Sequence, residues 1–243
     1  MTGTGRGRVT VEPCAKRVRA IFGGEVVVDT AAPLLVWEGP HYPQYYVPRA
    51  DVRTELLVAS DTTTHSPSRG EASYHTIKAG GREAIDAVWE YPESPIEELH
   101  DHLRFDYDAI DHWLEEDEEI IVHPRNPYHR VDILSSSRHV QVVIDGVTVA
   151  ETHKPTILFE TGLKTRYYLP LTDVRLDLLE PSDSRTGCPY KGWASYYSVR
   201  VGDTLHEDVV WHYPTPLLES IKIAGLVCFY NERVELIVDG VTL

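Results

Sequence analysis

The chain has 243 residues, 42% of them hydrophobic, with 23 Lys+Arg set against 38 Asp+Glu for a formal charge of −15. That length suits one large domain or two of about 100 residues, and the isoelectric point near 5.2 offers no general attraction for phosphate backbones, so no nucleic-acid partner is expected. The longest apolar runs, such as 223–230, are strand-sized and far short of the roughly 18 residues that span a bilayer, so no membrane partner is expected. Arg6 and Arg8 have no apolar run behind them, which makes the cytoplasm the expected location. Three cysteines without a CxxC pair predict neither a disulfide framework nor a zinc cage, and no cofactor is expected.

In chain order, 18–22 alternates β-branched residues and meets a Gly23-Gly24 turn, with a return strand at 25–29. Segments 34–37 and 44–47 read as the next two strands. At 51–57 the pattern is ambiguous, because Asp51 caps a helical turn but the segment is too short for a helix. Strands are expected at 72–77 and 87–91, and an alternating segment around His100 and His102 would point both side chains one way. Residues 93–132 then hold 13 acidic and 3 basic side chains, and the run at 115–119 reads as a solvated turn. The β pattern resumes at 140–144, an Asp145-Gly146 turn and 147–151. Further segments follow at 156–159, 166–169, 173–179 (ambiguous like 51–57), 194–199 and 208–213. The chain closes on a predicted hairpin, 226–230 with 233–238.

These elements repeat. Tyr45-Tyr46-Val47-Pro48 and Asp51-Val52-Arg53 return as Tyr167-Tyr168-Leu169-Pro170 and Asp173-Val174-Arg175, and Val88-Trp89-Glu90-Tyr91-Pro92 returns as Val210-Trp211-His212-Tyr213-Pro214. The register runs without a gap from Arg8/Arg130 to Pro92/Pro214, so the chain reads as a tandem duplication. Copy 1 is expected at 8–122, a junction peptide at 123–136 and copy 2 at 137–243. Each copy, with seven or eight short strands, fits a mostly β, sandwich-like or barrel-like domain.

The segment Cys188-Pro189-Tyr190-Lys191-Gly192-Trp193-Ala194-Ser195-Tyr196, with Tyr167 to Pro170 and Asp173 to Leu179 before it, resembles the DUF427 family, and the match covers nearly the whole chain twice. The junction, His123-Pro124-Arg125-Asn126-Pro127-Tyr128-His129-Arg130-Val131-Asp132, is similar to that of tandem members. The resemblance implies a compact β-rich fold akin to the β-tent proteins. The paired cysteines that hold zinc in β-tent relatives have no counterpart here, nor does the metal-binding Asp-x-Asp with a Gly-Ser before it that a nucleotidyltransferase label would require.

Comparing the copies isolates the chemistry. Copy 2 has Cys188, Tyr190, Lys191 and His212 where copy 1 has Ser66, Ser68, Arg69 and Glu90. A thiol three residues before a Lys would act as nucleophile if His212 lay within hydrogen-bond reach; alternatively Cys188 is a small buried hydrophobe. Lys191 and His212 are the other candidate catalytic pair. Tyr167, Tyr168, Asp173, Arg175, Asp183, Tyr196 and Trp211, present in both copies, would wall and orient a small polar ligand or would brace the fold. Arg125, His129 and Arg130 of the junction would either space the domains or bring cations to the mouth of copy 2, beside Tyr190. His100, His102, His112, His123 and His129 with Asp111 match no metal signature, and no metal site is expected.

Three functions remain. The first is binding of a small anionic molecule in a copy 2 pocket, the second a hydrolase or group transferase using Cys188 or Lys191 and His212, and the third a protein-interaction scaffold. No P-loop, Rossmann, G-x-S-x-G or H-E-x-x-H motif is present to select a known catalytic class.

Overall fold

The computed structural model describes residues 9–243; Arg6, Arg8 and the copy 1 boundary at residue 8 lie outside them. It divides into two compact units, Met1–Asn126 and Pro127–Leu243. The first contains strands β1 (Thr10–Pro13), β2 (Val18–Phe22), β3 (Glu25–Thr30), β4 (Leu34–Trp37), β5 (Gln44–Pro48), β6 (Leu57–Ser66), β7 (Gly70–Ala79), β8 (Arg82–Glu90), β9 (His102–Phe105), β10 (His112–Glu115) and β11 (Glu118–Glu119). The second contains β12 (Val131–Ser135), β13 (Val140–Ile144), β14 (Val147–Thr152), β15 (Thr156–Glu160), β16 (Arg166–Pro170), β17 (Leu179–Cys188), β18 (Gly192–Val201), β19 (Thr204–His212), β20 (Leu226–Phe229), β21 (Glu235–Val238) and β22 (Val241–Thr242). Seven-stranded sheets run β1-β4-β5-β9-β8-β7-β6 and β12-β15-β16-β20-β19-β18-β17. Four-stranded sheets run β11-β10-β2-β3 and, read in the same sense, β22-β21-β13-β14. The strand orders are identical, as the duplication predicts, and Tyr46 and Trp89 occupy the sheet positions of Tyr168 and Trp211.

Strand parity explains both layers. β2 and β13 alternate buried and half-buried residues. Their buried side chains, Val18, Ala20 and Phe22 or Val140, Val142 and Ile144, pack onto the inner face of the larger sheet, which supplies Tyr45, Val47, Val88 and Phe105 or Tyr167, Leu169, Val210 and Phe229. Two-residue turns with positive φ join β2 to β3 (Gly23 at 60°, Gly24 at 78°) and β13 to β14 (Asp145 at 49°, Gly146 at 77°), as tight hairpins require. In the first unit that turn abuts the β7–β8 turn so closely that a Cβ on Gly80 would sit 1.9 Å from the Gly23 carbonyl oxygen. In the second unit a side-chain contact replaces this close approach: His206 Nε2 lies 2.8 Å from Asp145 Oδ2.

The other face of each seven-stranded sheet carries a smaller aromatic cluster. In the first unit it contains Tyr46, Tyr91 and Leu99, flanked by Tyr74 and Trp89. In the second it contains Tyr168, Tyr196, Trp211, Tyr213, Ile223 and Cys228, flanked by Cys188 and Tyr230. A 3-10 helix, Leu218–Ile223, buries Ser220 and Ile223 over this side.

Several expectations change. Segments 226–230 and 233–238 do not form a hairpin: β20 pairs with β16 and β19, whereas β21 pairs with β13 and β22, so the chain crosses between sheets there. Val131–Ser135, expected in the junction, is a strand of the second unit's sheet, paired with β15. The ambiguous segments become pairs of 3-10 turns, Arg49–Asp51 with Thr54–Leu56 and Leu171–Asp173 with Leu176–Leu178. His100 is not on a strand; it follows the 3-10 turn Glu97–Leu99, anchored by buried Leu99, and its ring bonds the Ser94 carbonyl at 2.8 Å. The acidic run keeps its expected exposed turn, at Glu116 and Asp117, which closes the β10–β11 pair and meets basic partners, with Lys16 on Glu115 and Arg19 on Asp117. No helix among the described residues is long and apolar enough to cross a membrane.

Candidate functional site

On the outer face of the second unit's larger sheet, β15 ends at Glu160, whose side chain is only 6% exposed. Its two oxygens are both engaged: Lys191 Nζ donates to Oε2 at 2.6 Å and His129 Nε2 lies 3.0 Å from Oε1. Lys191 is itself buried, which an ammonium tolerates only when paired. The His129 ring stacks on Tyr190, centroids 4.3 Å apart. The Cys188-to-Lys191 turn that presents Tyr190 and Lys191 is fastened at both ends. Lys191 N–H bonds the Cys188 carbonyl, Leu217 N–H the Lys191 carbonyl and Ser220 Oγ the Tyr190 carbonyl. Gly192 follows at φ +102°, where a side chain would be strained and its Cβ would press the Thr215 carbonyl at 3.3 Å.

Beside this polar cluster stands an aromatic wall. Trp211 Nε1 donates to the Tyr168 hydroxyl at 3.2 Å, and the Tyr196 hydroxyl lies 2.7 Å from Thr186 Oγ1 and 3.5 Å from the Tyr230 hydroxyl. The Arg166 guanidinium lies 5.3 Å from the Trp211 ring centroid and 5.8 Å from that of Tyr230, cation–π range in both cases. Glu232 holds the same guanidinium through two oxygens, and this hydrogen bonding pulls the Glu232 carboxyl down to about 2 against burial. Burial pushes the Tyr168 and Tyr213 phenols above their ordinary range and Tyr230 up to about 12, the latter with help from the Tyr196 hydroxyl. At neutral pH these three phenols keep their protons, so they offer recognition rather than base chemistry.

Among the sequence candidates, Lys191, His129, Tyr190, Tyr168, Tyr196 and Trp211 come together here, with Cys188 packed against the same cluster. The others do not. Tyr167 belongs to the inner core on the opposite face. His212 follows Trp211 on a strand and therefore faces away from it, stacking on Tyr197 at 5.1 Å, and burial lowers its pKa. Asp173 accepts a bond from Thr152 Oγ1 at 2.7 Å, as Asp51 does from Thr30 at 2.6 Å, which braces the 3-10 turns. Arg175 is exposed and paired with Asp177. Asp183 lies exposed in a bulge of β17, Arg130 pairs with Asp132 at the surface, and Arg125 falls within the first unit. Nor do the histidines once grouped with Asp111 converge: His112 pairs with Glu119, His123 stacks on Tyr42, and Asp111 itself binds Arg82.

Glu160, Arg166, Tyr230 and Thr186 were not among the sequence candidates. Glu160 had a signal, because its counterpart Glu38 occupies the same place in copy 1. There Glu38 accepts from the Tyr46 hydroxyl at 2.7 Å and faces Arg104 at 3.5 Å, while Arg104 covers Trp89 at 4.7 Å and Arg69 lies over Tyr91 at 5.4 Å. Both units thus set an acid among basic side chains and aromatics, the first with arginines and the second with Lys191 and His129. A depression of about 340 Å³ lined by Glu180, Pro181, Ser182, Ser198, Leu205, Glu207 and Asp208 contains none of these groups, and its three carboxylates suit no anion.

Fold and cluster together define a tandem all-β protein that repeats one sandwich-like domain. The profile of a family described as a domain of unknown function (DUF427) matches residues 10–116 and again 132–240, and the chain belongs to that family as a two-copy member. The chain matches none of the curated proteins.

Proposed function

We propose that the second unit binds a small anionic molecule at the outer face of its seven-stranded sheet. The observation that carries this reading is the buried Lys191–Glu160–His129 chain standing beside Arg166, which is itself held against Trp211 and Tyr230. A buried ion pair contributes little net stability compared with apolar packing, so its cost is offset best where it orients cations for a ligand. The half-buried Tyr230 gives such a ligand a ring and a hydroxyl, and the guanidinium edge of Arg166 that Glu232 leaves open offers charge-assisted hydrogen bonds to a carboxylate or phosphate. An enzyme built on Cys188 with His212 as base is not favoured, because His212 stacks on Tyr197 on the other face of the sheet.

The test is a two-dimensional NMR titration of the full chain with inorganic phosphate, benzoate and a nucleoside monophosphate, reading the five Trp indole resonances. The Trp211 indole should shift with at least one of the three anions. Arg166→Gln should abolish that shift, while Arg175→Gln, remote from the cluster, should leave it intact. Shifts confined to Trp89, beside Arg104 of the first unit, would overturn the assignment, as would an Arg166→Gln protein that responds like the parent.

A further inference from the structure

A second cluster lies on the four-stranded sheet of the second unit, independent of the site above. Val140 pairs with Thr152 and Gln141 with Glu151, so the register carries His139 opposite His153. Val140, Val142 and Thr152 are buried, and alternation therefore puts His139, Glu151 and His153 on the solvent face. The two imidazoles stack with centroids 4.2 Å apart and planes within 11°, and His139 Nε2 lies 2.7 Å from Glu151 Oε1. One ligand atom from each of the three falls within 4.8 Å of the others.

The geometry points to a surface site for one divalent transition-metal ion of the zinc class, held by the imidazoles of His139 and His153 and the carboxylate of Glu151. Tetrahedral zinc with bonds of about 2.0–2.1 Å needs its ligand atoms roughly 3.4 Å apart. His139 and Glu151 already meet closer than that, and exposed His153 closes the remainder by side-chain rotation. The backbone at His139 is held in place, its N–H bonding Asp239 Oδ1 at 3.0 Å and its carbonyl accepting from Asp239 N–H at 2.8 Å. A set with two nitrogens and one oxygen selects zinc, nickel, copper or cobalt over magnesium and calcium, which take oxygen donors. The remaining coordination positions face solvent and fall to water.

The first unit supplies the contrast. Its corresponding residues are Arg17, Asp29 and Ala31, and Arg17 binds Asp29 through two hydrogen bonds of 2.7 and 2.6 Å. Both units therefore set a nitrogen donor against a carboxylate at this rung. Only the second replaces guanidinium by imidazole, which has a lone pair to give, and adds a second imidazole across the ladder.

Equilibrium dialysis of the full chain against ZnCl2, with Co2+ absorption as a second readout, tests this. One Zn2+ per chain should bind, Mg2+ should not compete, and affinity should fall as pH drops because protons compete for the imidazoles. His153→Ala and, separately, Glu151→Gln should each weaken binding by at least about tenfold and change the Co2+ spectrum. Because both side chains are exposed, circular dichroism should stay that of the parent. Unchanged Zn2+ affinity in His153→Ala, equal competition by Mg2+, or Co2+ broadening of other histidines in place of His139 and His153 would overturn the proposal.

Discussion

Replacing Lys191 by Met removes a cation from a pair whose side chains are 9% and 6% exposed and whose charged atoms are 2.6 Å apart. Glu160 then keeps only His129 as a partner in a place water scarcely reaches. Removing one member of a buried pair costs about 3–5 kcal/mol, because the remaining charge stays desolvated, whereas replacing both members by apolar groups of similar volume is about neutral. Lys191→Met alone should therefore destabilise the second unit by about 3–5 kcal/mol, and the double variant Lys191→Met/Glu160→Met should recover most of the loss. Arg175→Gln, which breaks a pair exposed at 54% and 61%, should leave stability close to that of the parent, because solvent screens such a pair. Hydrogen exchange of amides in β16 and β19 measures these differences locally, with β5 and β8 of the first unit as internal control. If Lys191→Met proved as mild as Arg175→Gln, or if the double variant were worse than the single, the desolvation argument would fail.

Acid should act on the rim of the same cluster. Glu232 sits at about 2 when folded against an ordinary 4.5, so its contribution is present above about pH 4.5 and is lost as pH falls toward 2; Arg166→Gln should flatten that part of an acid-unfolding curve read by Trp fluorescence. For the thiols, burial pushes Cys228 and Cys14 above their ordinary range, and Cys228 has no exposed surface. Iodoacetamide should label Cys228 last, and only at the rate at which the second unit opens; mass spectrometry showing Cys228 modified as fast as Cys188 in native protein would contradict the packing.

The duplication was legible because it needs no structural inference: aligned Tyr-Tyr-x-Pro and Val-Trp-x-Tyr-Pro segments occupy equivalent rungs. Hairpin turns were legible from Gly23-Gly24 and Asp145-Gly146. Strands β6 and β17 were not, because Val58-Ala59-Ser60-Asp61-Thr62 and Glu180-Pro181-Ser182-Asp183-Ser184 lack an apolar alternation and pair on one side only, with β7 and β18. The closing hairpin was misread because two consecutive apolar strands can belong to different layers, which local pattern does not reveal. At the site, period-two parity would have separated Tyr167 from Tyr168 and His212 from Trp211. The pairing of Lys191 with Glu160 is long-range, and no spacing rule points to it.

The crossing of the chain between sheets near residues 230–234 also sets an order of assembly. Central strand β5 waits for β9, with Tyr46 opposite Arg104, and β16 waits for β20, with Tyr168 opposite Cys228. Local hairpins such as β7–β8 and β18–β19 can form early, yet neither sheet is complete until that late strand inserts, and the smaller sheet gains β10 or β21 only afterwards. Such non-local closure is slow relative to hairpin formation. On a ribosome the first unit has everything it needs once its β10–β11 hairpin has emerged, while the second unit's half-made sheet, with β16 lacking a neighbour, is still being synthesised. The repeat thus folds one sandwich before the other can compete for its strands, an arrangement that limits exchange of equivalent strands between two nearly interchangeable frameworks.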